Sequence, residues 1–96
     1  MIVRIFNDRQ YRLDEKHYEP LNVLDDAVVA AVEAGDERGY RAKFDALLAL
    51  VREHGVPVGD DELIGSDVLL PAEDFSFAEA KQEFTGEGLV PDPADA

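Results

Sequence analysis

The chain has 96 residues, of which 46% are hydrophobic, and it carries a formal net charge of −13 and no cysteine. This length suits one small domain with a single core, and the lack of cysteine excludes disulfides, thiolate metal sites and cysteine nucleophiles. The negative charge argues against direct binding to nucleic acids or anionic lipid headgroups, because both are bound through lysine and arginine.

The charge is unevenly placed along the chain. Residues 1–54 contain eleven acidic and eight basic residues, whereas residues 55–96 contain eleven acidic residues and one base, Lys81. A basic protein surface is therefore the favoured electrostatic partner, with acids kept for solubility or high salt as the alternative. The start of the chain shows neither a signal peptide nor the ~20 apolar residues of a membrane span, so we expect a cytoplasmic protein.

The first elements in chain order are two strands. Residues 2–6, "IVRIF", and residues 11–13, "YRL", are rich in β-branched and aromatic side chains. The turn-prone "NDRQ" lies between them. This pattern predicts a β-hairpin.

A first helix follows the hairpin. It is predicted to begin near Glu19, because Pro20 suits a first helical position where its missing N–H costs nothing. It is predicted to end at Gly35. Its apolar residues include Leu21 and Val28, which recur at helical spacing on the side that should face the core.

A second helix is predicted from about Glu37 to His54, with Asp36 as its N-terminal cap. Gly55 is expected to take the left-handed conformation that often ends a helix. Pro57 then prevents the helix from continuing. The two helices should form a hairpin.

The last part of the chain predicts one strand and one short helix. Residues 56–66, "VPVGDDELIGS", are interpreted as a polar connection, and residues 67–71, "DVLLP", as a short third strand. Ser76 and Glu79 form a capping-box pattern at the start of a third helix of about nine residues. One face of this helix carries three apolar residues, Phe77, Ala80 and Phe84.

These elements predict an α+β domain of order β-β-α-α-β-α spanning residues 1–91, with a short sheet packed on the helical hairpin. Residues 92–96 are predicted to form a flexible acidic tail. The burial of eight apolar residues should dominate stability: Val3, Ile5, Leu21, Leu24, Val28, Phe44, Leu47 and Val51.

Two adjacent carboxylates, Asp25 and Asp26, lie in the middle of the first helix. Neighbours on a helix diverge by ~100°, so the two cannot converge on one substrate as an acid and base pair. Asp26 is predicted to be solvated. Asp25 lies at the rim of the apolar side and must be hydrogen-bonded, with Arg4, Arg12 or a backbone N–H as its candidate partners.

A second stripe of small apolar residues runs along the first helix at spacing i, i+4, i+7, i+11. Two explanations stay open: the stripe packs inside the helical hairpin, or it lies open for a partner helix to approach closely. In the second case the flanking acids would select basic residues on the partner. The predicted partner-binding residues are Val23, Asp26, Ala27, Ala30, Glu33 and Ala34.

Other chemistry is sparse in the sequence. His17 and His54 lie far apart without a metal-ligand motif, and His54 suits a helix C-terminus because of the helix dipole. No catalytic or phosphate-binding motif is present, so we predict no enzymatic activity, cofactor or metal. The alternative is a divalent cation held by a cluster of carboxylates, namely Asp60, Asp61, Glu62 and Asp67.

Five segments together resemble the phage-shock-protein-A-associated family (PspAA). They are "MIVRI" at 1–5, "QYRL" at 10–13, "LNVLDDAVVAAVEAGD" at 21–36, "LLALVREHGVPVGDDELIGSDVLLP" at 47–71 and "EGLVPD" at 87–92. At the first turn the family has Gly-Glu-Gly-Gln where this chain has "NDRQ".

The resemblance implies an accessory adaptor or regulator of the phage-shock, or membrane-stress, system rather than an enzyme. Its implied partner is the helical phage-shock protein A, which would recruit it to the inner face of the membrane without direct insertion. A homo-oligomeric interaction domain is the alternative, because a stripe of alanines serves self-association equally well.

Overall fold

A mixed sheet and a helical hairpin form the fold in the computed structural model, which describes residues 1–59 and 65–83. A 3-10 turn, Glu15–His17, precedes the first helix. The described elements are β1 (Ile2–Ile5), β2 (Gln10–Arg12), α1 (Tyr18–Glu33), α2 (Glu37–His54), β3 (Val56–Pro57), β4 (Val68–Leu70) and α3 (Phe77–Glu83). The α+β class and the predicted order of the major elements are confirmed.

The sheet has strand order β3-β2-β1-β4. The predicted hairpin is confirmed, since β1 and β2 pair antiparallel with Val3 opposite Tyr11. Strand β4 pairs parallel to β1, which places Leu69 opposite Arg4. The hairpin turn contains Asn7 at a φ of 65°, so asparagine here takes a conformation that glycine adopts most readily.

The connection after α2 contains a short strand that the sequence did not predict. Val56 and Pro57 form the short strand β3, which pairs antiparallel to β2 at the edge of the sheet. A two-residue strand with a proline has no recognisable periodicity. Its pairing depends on Tyr11 and Arg12, which are distant in sequence.

The turn between the helices follows from local sequence signals. Helix α1 begins at Tyr18, close to the predicted Glu19. Gly35 follows it with a φ of 71°, and its N–H donates to the carbonyl of Val32 in a glycine-capped helix end. The Asp36 side chain then accepts a hydrogen bond from the Gly39 N–H at 3.0 Å, which confirms the predicted cap of α2.

The prediction for Gly55 is wrong in its conformation. Its φ of −77° and ψ of 147° are extended, not left-handed. The position is tight for a different reason: a Cβ there would collide with the Val51 carbonyl oxygen and lie 2.8 Å from the Tyr11 Cβ. Glycine therefore allows α2 to end directly against β2.

The core lies between the sheet and the helical hairpin, and seven of the eight predicted residues are buried there. Leu24 is the exception, because it is half-buried and packs against the edge of the core. The largest fully buried side chains also include four residues outside that group of eight: Tyr40, Leu13, Leu48 and Leu70.

Helix α3 begins with the predicted capping box. The Glu79 N–H donates to Ser76 Oγ, and the Ser76 N–H donates to Glu79 Oε1, both at 3.1 Å. Ala80 is fully buried and Phe77 is half-buried against the core. Phe84 and the predicted tail lie outside the described residues.

Candidate protein-binding surface

The predicted partner-binding residues lie on the side of α1 that turns away from the core. Val23 is 60% exposed, Ala30 and Ala34 are exposed, and Ala27 is half-buried. The other side of the helix buries its larger residues in the core. Most of the small-residue stripe is thus open to solvent, and we call this side the α1 outer face (Val23, Asp26, Ala27, Ala30, Glu33 and Ala34).

The charge of α1 has a single sign. The helix carries four acidic residues and no lysine or arginine. Asp26 and Glu33 are exposed on the α1 outer face, beside the alanines. Such a surface is complementary in charge to basic residues.

Helix α2 also carries a stripe of alanines on the side that turns away from the core. Ala42 and Ala49 are exposed, and Ala46 is half-buried. This helix also carries exposed bases, among them Arg38 and Lys43. Its outer side therefore lacks the uniform acidity of α1.

The two adjacent carboxylates of α1 have different environments, as expected for neighbours that diverge by ~100° on a helix. Asp26 is exposed, whereas Asp25 is fully buried. No buried side-chain oxygen or nitrogen in the described part of the chain lacks a hydrogen-bond partner, so the Asp25 carboxylate is satisfied. The prediction that Asp25 must be hydrogen-bonded is confirmed.

An ion-pair network joins three parts of the fold that the sequence did not connect. Arg52 on α2 donates to Asp8 Oδ2 at 3.0 Å and to Glu73 Oε2 at 3.2 Å. Burial alone lowers the pKa of Arg52, but the hydrogen bonds to Asp8 and Glu73 outweigh this and raise the pKa. No sequence pattern signals this network, because its partners are far apart along the chain.

Two hydrogen-bond donors on α2 hold the segment before α3. The Tyr40 hydroxyl donates to the main-chain oxygen of Phe75 at 2.7 Å, and Arg41 Nη2 donates to that of Glu73 at 2.8 Å. Burial, as the largest cause, raises the pKa of Tyr40. These contacts attach α3 to the helical hairpin.

The two histidines are adjacent in space. The His17 and His54 rings stack with centroids 4.4 Å apart and planes inclined by 22°. The sequence could have shown this, because His17 precedes α1 and His54 ends α2, and an antiparallel hairpin of similar helices brings those ends together. Stacked rings do not direct their nitrogens at a common point, so the pair lacks the geometry of a metal site.

Within residues 1–59 and 65–83, no group of three or more histidine, cysteine or acidic side chains is arranged to hold a metal ion. Three members of the alternative carboxylate cluster, Asp60, Asp61 and Glu62, lie outside this described part. The fourth, Asp67, accepts a hydrogen bond from the Ile2 N–H at 2.7 Å. None of the described helices is long and apolar enough to span a bilayer.

Comparison with known proteins identifies one family. The family model PspAA, described as PspA-Associated protein, matches residues 1–92. No curated protein and no solved structure matches the chain significantly.

Proposed function

Because the chain belongs to the family of PspA-associated proteins, we propose that it is an adaptor that binds the helical phage-shock protein A through the α1 outer face. The family description supports the choice of partner. The exposed small-residue stripe on an acidic helix is the observation that supports the choice of surface.

The shape of the α1 outer face suits a helical partner. Side chains as small as those of Ala30 and Ala34 let a second helix approach closely without steric clash. Val23 is among the most exposed large apolar residues in the described chain and would contribute buried apolar area at one end of the contact. A helix packed here would cover residues that the core does not use.

The charge of the surface supports a basic edge on the partner. Asp26 and Glu33 flank the stripe, and α1 offers no base that would neutralise them. Complementary charges speed encounter and reject acidic competitors more than they raise affinity. The rate of association should therefore fall as the salt concentration rises.

The proposed role is regulatory: an accessory component of a membrane-stress response, without catalysis, cofactor or metal. In this role the protein works in the cytoplasm and reaches the inner face of the membrane only through its partner. The acidity of the chain agrees with this, since a net charge of −13 opposes direct contact with anionic lipids.

The test is calorimetric titration of phage-shock protein A with wild type, Ala30→Arg and a matched control, Ala42→Arg. Both alanines are exposed, but Ala42 lies on α2 outside the proposed surface. We expect Ala30→Arg to weaken binding at least about tenfold, through steric clash at a close helix contact, and Ala42→Arg to bind like wild type. Both variants should keep the thermal midpoint of wild type.

The result that overturns the proposal is a folded Ala30→Arg variant that binds with wild-type affinity. A homo-oligomer is the competing role for the same stripe, although a two-fold contact would bring Asp26 and Glu33 of both copies together. Light scattering on dilution separates the two roles. A dimer that persists to nanomolar concentration and is lost in Ala30→Arg would favour self-association.

A further inference from the structure

An apolar groove lies beside β4, the last strand of the described sheet. It has a volume of about 460 Å³ and includes Phe6, Leu69 and Phe75 in its lining. Phe6 and Leu69 are each 57% exposed and are two of the four large apolar residues that the described chain leaves exposed. The groove shares no residue with the α1 outer face.

The groove follows from the position of β4 in the sheet. Val68 and Leu70 face the core, so Leu69 between them points to the other side, as alternation along a strand requires. Strand β4 is the last strand in the order of the sheet, and the Phe6 N–H donates to the Leu70 carbonyl at 2.9 Å. Phe6 and Leu69 thus lie together where the described sheet ends.

The charged residues of the groove are acidic. Among the described residues, Asp74 and Glu79 are the charged residues of its lining, and Arg4, opposite Leu69 on β1, lies outside it. Asp74 makes no ion pair or hydrogen bond with another described side chain, whereas Glu79 uses one oxygen to cap α3. An apolar surface with such a rim complements an apolar segment that carries positive charge.

We propose that this groove binds a short apolar segment of another protein with lysine or arginine beside its apolar residues. The apolar side chains of the segment contact Phe6 and Leu69, and its basic groups pair with Asp74 and Glu79. A second copy of this chain is the weaker candidate, because β4 edges that meet would bring Asp67 and Asp74 of both copies close together.

The probe for the test is a fluorescein-labelled peptide of alternating leucine and lysine, which presents its leucines on one side when extended. A peptide with glutamate in place of lysine is its control. Fluorescence anisotropy should show binding of the lysine peptide and none of the glutamate peptide. Equal binding of both would overturn the charge argument and with it the proposal.

Substitutions locate the binding site. Phe6→Ser and Leu69→Ser should each weaken binding of the lysine peptide about tenfold, because each removes a large apolar contact. The matched control is Val56→Ser at the opposite edge of the sheet, where Val56 is 64% exposed. If Val56→Ser weakens binding as much as the groove variants, the peptide binds elsewhere and the proposal is wrong.

A charge reversal tests the rim without touching the apolar residues. Asp74→Lys should weaken binding of the lysine peptide several-fold more than Glu19→Lys, which changes the net charge equally at an exposed position on α1. An equal effect would show attraction by net charge alone and would overturn the proposal. This comparison remains decisive if a serine variant fails to fold.

Two further measurements test whether a second copy occupies the groove and whether the groove acts independently of the α1 outer face. Sedimentation velocity without peptide should give a monomer, and a dimer that Leu69→Ser dissolves would overturn the proposal in favour of a second copy. Ala30→Arg should bind the lysine peptide like wild type, so a failure of the α1 surface to bind phage-shock protein A leaves the groove result intact.

Discussion

The hydroxyl of Tyr40 lies 2.7 Å from the main-chain oxygen of Phe75 and donates a hydrogen bond to it. The Tyr40 side chain is almost fully buried, and its ring stacks on Phe44 with centroids 5.6 Å apart. The bond attaches the segment before α3 to α2. A helix as short as α3 forms only when it is docked, so this contact helps to define the end of the fold.

Tyr40→Phe is expected to lower the free energy of unfolding by about 1 kcal/mol at neutral pH, because the Phe75 oxygen loses its shorter hydrogen bond and keeps the longer one, from Arg41 Nη1 at 3.4 Å, while the ring packing is kept. Urea unfolding measures the change. Faster hydrogen exchange of the α3 amides than in wild type should accompany it. Unchanged exchange in α3 would contradict the proposed attachment.

The same residue predicts a dependence on alkaline pH. Burial raises the pKa of Tyr40 above the 10.0 of an unperturbed tyrosine, so the folded state holds this proton more tightly than the unfolded state. The stabilisation is therefore complete below pH 10 and is lost as the pH rises through the folded pKa.

Urea titrations from pH 8 upward should show that Tyr40→Phe reduces this alkaline loss. It should not abolish the loss, because burial also raises the pKa of Tyr11 and Tyr18. A variant with the full wild-type pH dependence would show that Tyr40 does not titrate differently in the two states.

The different burial of Leu47 and Leu24 predicts that truncating them to alanine lowers the stability of the fold by different amounts. Leu47 is fully buried, so Leu47→Ala should destabilise the fold by ~2–5 kcal/mol. Leu24 is half-buried at the edge of the core, so Leu24→Ala should cost less than the lower end of that range. Chemical denaturation of both variants checks the order, and a larger cost at Leu24 would contradict the described packing.

Local signals in the sequence predicted the helices well. Asp36 and Gly35 mark a turn whose hydrogen bonds close within a few residues, and Ser76 with Glu79 does the same for α3. Such signals act through the chain itself and are visible without the fold. The helical projection likewise separated the buried Asp25 from the exposed Asp26.

Features that depend on residues far apart in the chain could not be predicted from local sequence signals. Strand β3 exists because Val56 pairs with Arg12, and the space for a side chain at position 55 is limited by the Val51 carbonyl oxygen and by Tyr11. The exposure of the Ala30 stripe also depends on where the sheet and α3 pack. The sequence therefore identified the candidate residues of the α1 outer face but left open whether they face solvent.

Asp25 and Asp26 provide a matched pair for testing burial. Asp25→Ala should destabilise the fold by about 1–3 kcal/mol, since it removes a buried, hydrogen-bonded carboxylate and leaves its partner unsatisfied. Asp26→Ala, one residue away in the same helix, should stay within about 0.5 kcal/mol of wild type. Similar costs at both positions, measured by urea unfolding, would refute the structural role of Asp25.

Gly55 and Gly35 should respond in opposite ways to the same two substitutions. At Gly35 the φ of 71° is the obstacle and space is free, so Gly35→Asn should cost less than Gly35→Ala, because asparagine tolerates this conformation better. At Gly55 the backbone is extended and space is the obstacle. A Cβ there meets the Val51 carbonyl oxygen and Tyr11, and Gly55→Ala should cost about 1–3 kcal/mol.

Asparagine is larger than alanine, so Gly55→Asn should be at least as destabilising as Gly55→Ala. Thermal unfolding of the four variants decides between the two explanations for the glycine at the end of α2. If Gly55→Asn were instead milder than Gly55→Ala, the left-handed helix end that the sequence predicted would be correct. The extended conformation of Gly55 would then be wrong. In that conformation a Cβ meets the Val51 carbonyl oxygen and Tyr11, so a larger side chain cannot be the milder substitution.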